Sequence, residues 1–162
     1  MSKSSSIPGK VYKYVHKQDE TIKTNLVGRA FKNDWLEIYE DGTMILKGSH
    51  AKGYAWDGCS PKMNFIDVIW GTPDGRLDDK TEKQITYYAS MFHDVLYQFK
   101  SQICISRKES DLIFKVILLK HKFRLTAIYF SAVRLFGGFF GKWKTKDTAS
   151  GIVISQLSWL ES

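Results

Sequence analysis

The sequence predicts an α+β fold, with an N-terminal antiparallel β region followed by an antiparallel helix hairpin and a third helix. Three observations predict it. The first third of the chain carries apolar runs around an Asp-Gly turn. After Thr81 the apolar residues recur at helical rather than strand spacing. Only the short segment Lys100 to Ile105 separates the first two helical stretches.

The elements follow in order. Residues 1–10, MSKSSSIPGK, read as a flexible leader, and 11–162 as a single domain. The leader has no apolar run of the kind a signal peptide needs. Val11 to His16 alternates weakly, as a strand does. Trp35 to Tyr39 and Met44 to Lys47 flank Glu40-Asp41-Gly42-Thr43, and an Asp-Gly pair between apolar runs marks a hairpin. Ala51 to Trp56 adds a further strand. Thr81-Glu82-Lys83-Gln84 has capping-box spacing, so the first helix is expected to start there and to end at Phe99. Ile85, Tyr88, Ala89, Phe92, Leu96 and Phe99 form its buried face, with Thr86, Ser90, His93 and Tyr97 as a second stripe beside it. A second capping box, Ser106 to Glu109, opens a helix that is apolar nearly all round and therefore buried on several sides. The third helix covers Thr126 to Phe136, with Gly137-Gly138 as its cap. Ile152 to Leu160 is expected to pack back on the domain.

Composition bounds the function without choosing it. The 162 residues are 43% hydrophobic and 25% charged, enough for one ordinary core. The formal charge is +7, and eight basic residues (Lys115, Lys120, Lys122, Arg124, Arg134, Lys142, Lys144, Lys146) occur between 115 and 146 with no Asp or Glu among them. Such a stretch attracts an anionic lipid or membrane surface, a nucleic acid or an acidic protein, or is simply a solvated basic face. Two cysteines, Cys59 and Cys104, make neither a disulfide framework nor a zinc quartet, and fit a reducing compartment. Leu125 to Phe140, the longest apolar stretch near the C-terminus, is too short and too interrupted to be a transmembrane segment.

The candidate chemistry lies on the helix hairpin. His93 is six residues before Phe99, about 9 Å along the axis at 1.5 Å per residue, and Asp111 is five residues after Ser106, about 7.5 Å into the next helix. The two are level across an antiparallel pair. A carboxylate there can hold one imidazole nitrogen and leave the other free as a base. Tyr97, one turn after His93, reaches the same carboxylate. Asp94 is rotated about 100° away on the helical wheel and points elsewhere, where a metal ion is one reason for it. The plainer alternative is a His-Asp pair that only ties two helices together. Trp56-Asp57-Gly58-Cys59-Ser60-Pro61 is a loop that offers carbonyls and the Asp57 carboxylate to a hard cation, or a turn in which Asp57 and Ser60 bond their own backbone. Cys59 as nucleophile with His93 as base is a rival mechanism, against an incidental thiol.

Two resemblances attach to these residues. The order Trp56 to Pro61, then His93-Asp94-Val95-Leu96-Tyr97, then Asp111, then Ala132 to Gly137, resembles an uncharacterised family of tailed phages and prophages, domain of unknown function family 1353. The resemblance covers about residues 50 to 140, and Ser60 and Pro61 adjoin here where that family's pattern separates them. It implies a phage or prophage origin, and with it the host cytoplasm or the virion as the protein's place. Locally, His93-Asp94-x-x-Tyr97 with a distant Asp111 is similar to the active site of the phospholipase A2 superfamily. That similarity implies His93 as the base for a water, Asp94 as a calcium ligand, and Tyr97 and Asp111 as supports of the histidine, while the loop reading adds Asp57 as a second candidate metal ligand. It leaves Trp56, Gly58, Cys59 and Ser60 as the candidate substrate or calcium loop.

Two functions from different classes are thereby expected. One is a calcium-dependent hydrolase acting on an ester or, alternatively, an amide. The other is a non-enzymatic phage accessory protein, a virion component or an antagonist of host defence, that binds a phage or host partner through the basic aromatic surface from Phe123 to Trp143.

Overall fold

Gly42 sits at φ +86°, a backbone position that a side chain resists, and a Cβ there would collide with the Thr24 carbonyl. The Asp41 carboxylate accepts the Thr43 amide at 2.9 Å, which fixes the turn. The expected hairpin forms on either side of it. The computed structural model describes residues 12–58, 77–137, 142–147 and 151–161. Their strands are β1 (Tyr14–His16), β2 (Asp19–Thr24), β3 (Phe31–Lys32), β4 (Leu36–Ile38), β5 (Thr43–Lys47), β6 (Tyr54–Trp56) and β7 (Ile154–Leu157). The helices are α1 (Tyr87–Gln98), α2 (Arg107–Lys120), α3 (Thr126–Phe136) and the short α4 (Ser158–Glu161).

The strands make two antiparallel sheets. One has the order β3-β4-β5-β2-β7 and the other pairs β1 with β6. Leu36 lies opposite Leu46 and Ile38 opposite Met44, so the buried face of β4 and β5 is continuous hydrocarbon. The C-terminal segment does pack back, as an edge strand: Ile22 faces Leu157. Trp159 of α4 then stacks on Tyr88 of α1, ring centroids 4.3 Å apart. Sheet and helices share one buried cluster, in which Ile22, Leu46, Phe92, Leu96 and Ile117 are fully enclosed.

The α+β order and the hairpin of α1 and α2 are as the sequence predicts, and α1 ends at Gln98 with Phe99 as its C-cap. Its start is not where the capping-box spacing places it. Asp78 accepts the amides of Lys80 and Thr81, each at 3.0 Å, and Glu82 adopts φ +54°. An Asx turn has captured the segment, and a left-handed residue cannot continue a helix, so α1 begins only at Tyr87. The second capping box is real. The Ser106 hydroxyl accepts the Glu109 amide at 3.1 Å, and the Glu109 carboxylate accepts the Ser106 amide at 2.8 Å. The third helix has the predicted bounds, with Gly137 as its C-cap; Gly138 and the leader lie outside the described residues.

Candidate functional site

α1 presents two stripes. Ala89, Phe92, Val95 and Leu96 are buried in the shared core, and His93 and Tyr97 look along the side of the helix toward α2. The short connection returns the chain antiparallel, and Asp111 comes level with His93 as the spacing predicts. His93 Nε2 lies 2.8 Å from Asp111 Oδ1, and the Tyr97 hydroxyl donates to the same oxygen at 2.6 Å. The carboxylate of Asp111 is fully buried, whereas the imidazole is 16% exposed.

A third helix completes the site. Arg134 of α3 donates to Asp111 Oδ2 at 2.8 Å and reaches Asp147 at 3.4 Å. Arg107, one turn before Asp111, places Nε 3.8 Å from Oδ2 and donates through its terminal nitrogen to the Arg134 carbonyl. Asp147 accepts the Lys108 amide at 2.8 Å. Two carboxylates and two guanidinium groups balance, so the imidazole need not be charged for the cluster to be neutral. Burial raises the Asp147 pKa, but the Lys108 amide and the Arg134 charge outweigh it and leave the group below the ordinary carboxylate value. Burial lowers the Arg134 pKa, but Asp111 and Asp147 hold it above its ordinary value. Burial, and then the Asp111 charge, push the Tyr97 phenol up, so it remains a hydrogen-bond donor.

The tautomer of His93 follows from its partner. The Asp111 carboxylate is surrounded by donors and can only accept, so Nε2 carries the proton and Nδ1 carries the lone pair in the neutral ring. Tyr97, 4.1 Å away between ring centroids, and Phe114, 5.1 Å away, hold the ring in place. Nδ1 has no hydrogen-bond partner among the described residues and is not among the buried polar atoms left unsatisfied. It faces solvent.

The other two histidine–carboxylate pairs differ in that respect. His16 bonds Glu20 through Nε2 at 3.0 Å and the Tyr87 hydroxyl through Nδ1 at 3.1 Å. His121 bonds Asp78 through Nδ1 at 2.7 Å and accepts the Trp159 indole N–H through Nε2 at 3.0 Å. Both rings are buried with both nitrogens occupied.

The remaining sequence-predicted residues are scattered around this centre. Asp94 does point away from it: its carboxylate accepts the hydroxyl of Tyr54 at 2.6 Å. Burial, and then the Asp94 charge, raise the Tyr54 pKa well above its usual value. Trp56 is 1% exposed, and its indole donates to Ser90 at 3.1 Å, so it serves as a core residue that locks β6 to α1 and offers no surface to a substrate. Gly58 has φ +76°, and a Cβ there would press on the Tyr14 ring at 2.8 Å. Asp57 is half-buried, while Cys59 and Ser60 lie outside the described residues. Among the described residues, no three His, Cys, Asp or Glu side chains gather as a metal site.

Sequence reasoning missed Arg107, Arg134, Gly137 and Trp143. Arg134 belongs to the basic stretch between 115 and 146, yet it turns inward to Asp111. The four-residue spacing of Arg107 and Asp111 is a readable helical ion-pair signal. Gly137 carries no such signal. A Cβ on it would run into the Tyr97 hydroxyl and come within 3.2 Å of Arg107 Nε, so α3 approaches the site only because that residue is glycine. Trp143 meets the Tyr97 ring edge-on at 4.8 Å. No family model, curated protein or solved structure matches the chain.

Proposed function

We propose that the protein is a small phage- or prophage-encoded hydrolase in which His93 activates water. One observation carries this reading: of the three histidine–carboxylate pairs described, His93–Asp111 alone leaves a ring nitrogen facing solvent. Nδ1 takes a proton from a water as that water attacks the carbonyl carbon of an ester. The Nε2–H bond to Asp111 stabilises the imidazolium that results, and the same proton then passes from Nδ1 to the leaving oxygen. Tyr97 and Arg134 keep the carboxylate in register through its two oxygens. Among the described residues Asp94 Oδ2 accepts the Tyr54 hydroxyl and no three His, Cys, Asp or Glu side chains gather, so the step uses this chain's own groups.

The test is turnover of nitrophenyl esters of short and long acyl chains by the full chain and by His93→Gln. Glutamine keeps an N–H donor for Asp111 but has no basic nitrogen. The variant should retain its circular dichroism and melting temperature and lose at least about a hundredfold in rate, the usual contribution of a general base. Unchanged turnover in the folded variant rejects the assignment.

A second reading is favoured by one feature of the same site. Asp111 receives donors from two neighbouring helices, α1 and α3, which is what a purely structural clasp would do. Under it the protein is a non-enzymatic accessory protein, and its function survives His93→Gln and is lost on changing the basic surface.

A further inference from the structure

The outer face of α3 lacks the charges that a surface helix ordinarily carries. Its inward residues, Thr126, Tyr129, Ala132 and Val133, are buried at the expected three- and four-residue spacing. Its outward residues are Ala127, Ser131 and Leu135, with Ile128 and Phe130 half-buried beside them. The single charged side chain of the helix, Arg134, folds inward to Asp111. Leu135 is 71% exposed, and Leu119 at the end of the neighbouring α2 is 53% exposed. Lys115 lies over the Phe130 ring at 4.8 Å, so α2 runs alongside α3 and sets a further cation beside the apolar strip.

Cations bracket the strip. Lys120, Lys122 and Arg124 are exposed before α3, and Lys142, Lys144 and Lys146 are exposed after it. No acidic residue occurs between 115 and 146. The helix is about 16 Å long at 1.5 Å per residue, so an aliphatic band lies between two positive clusters.

Charge and apolarity together select the partner. A nucleic acid would satisfy the lysines and set Leu135 and Ile128 against phosphates. A second copy would cover the leucines and bring like charges together. An anionic bilayer surface satisfies both, with headgroups at the lysines and the acyl boundary beneath the band. We propose that α3 and its flanking lysines dock this protein on anionic phospholipid, lying in the interface. Among the described residues no helix is long and apolar enough to cross a membrane. The surface adjoins the His93 dyad through Arg134 and Trp143, but its lysines and Leu135 make no printed contact with His93 or Asp111, and its test requires no turnover.

The full chain is sedimented with vesicles of phosphatidylcholine alone or mixed with phosphatidylglycerol, at low and high salt. It should partition onto the mixed vesicles and be released by salt. Leu135→Glu, at an exposed position that burdens no core, should weaken partitioning about tenfold. Lys122→Glu and Lys142→Glu should each weaken it about fivefold or more. Failure of the folded protein to bind anionic vesicles at low salt overturns the proposal. So does equal binding to both vesicle types, or binding indifferent to Leu135→Glu. A dimer in sedimentation equilibrium that Leu135→Glu dissolves would assign the strip to a second copy and likewise overturn it.

Discussion

At the scale of single residues, the site depends on a missing methyl group as much as on the groups present. Gly137 lets α3 close on Tyr97 and Arg107. Ala at 137 has no backbone penalty at a helical φ of −61°, so any loss of stability must come from the collision. Gly137→Ala should cost about 1–3 kcal/mol, as overpacking typically does, and should move the Tyr97 hydroxyl off Asp111. Urea unfolding measures the first; a protein of unaltered stability would show that the contact gives way freely. His93, Tyr97 and Asp111 were legible in the sequence because helical spacing and a short connection fix their levels. Gly137 and Arg134 were not, because only the approach of a third helix gives them a role.

At the scale of elements, the capping box of α2 joins the helical layer to the sheet side. Glu109 is fully buried, accepts the Ser106 amide and is held by Arg29, with guanidinium–carboxylate distances of 3.0 and 3.1 Å. Ser106→Ala removes only the hydroxyl acceptor and should lower stability by about 1 kcal/mol. Glu109→Ala removes both the acceptor of the Ser106 amide and the carboxylate partner of Arg29, so its loss should be clearly larger. Thermal melts of the two variants compare these directly, and equal losses would show that Arg29 contributes nothing. The same element shows why some structure is readable from sequence and some is not. Ser106 to Glu109 reads correctly because its two end side chains satisfy each other's backbone amides, whereas Thr81 to Gln84 has the same spacing and is captured by Asp78. β2 escapes a hydropathy reading because its inward residues are Glu20, Ile22 and Thr24. Two of the three are polar and become acceptable inside only through His16, Ser158 and the Gly42 carbonyl, partners that are remote or invisible to a period count.

At the scale of the whole molecule, ionised side chains clasp segments far apart in the chain, and this makes the fold acid-sensitive in a defined direction. Asp78, ahead of α1, holds His121 at the end of α2, and His121 in turn accepts the indole of Trp159 beyond β7. Burial works to raise the Asp78 pKa. The His121 hydrogen bond and the Thr81 and Lys80 amides outweigh it and set the group below its ordinary value of 3.8. A carboxyl depressed on folding stabilises the native state fully above its unfolded pKa, and the contribution disappears as the pH falls through the folded value. Asp78→Asn should therefore be less stable than the parent at neutral pH. The gap should begin to shrink as the pH drops below about 4, the unfolded value, and close as it falls on through the depressed folded value, where the native carboxyl becomes neutral. Urea midpoints of the two proteins across the acid range make the comparison. A gap of constant size would mean that the hydrogen-bonded shape of residue 78, and not its charge, joins the loop to the C-terminal segment.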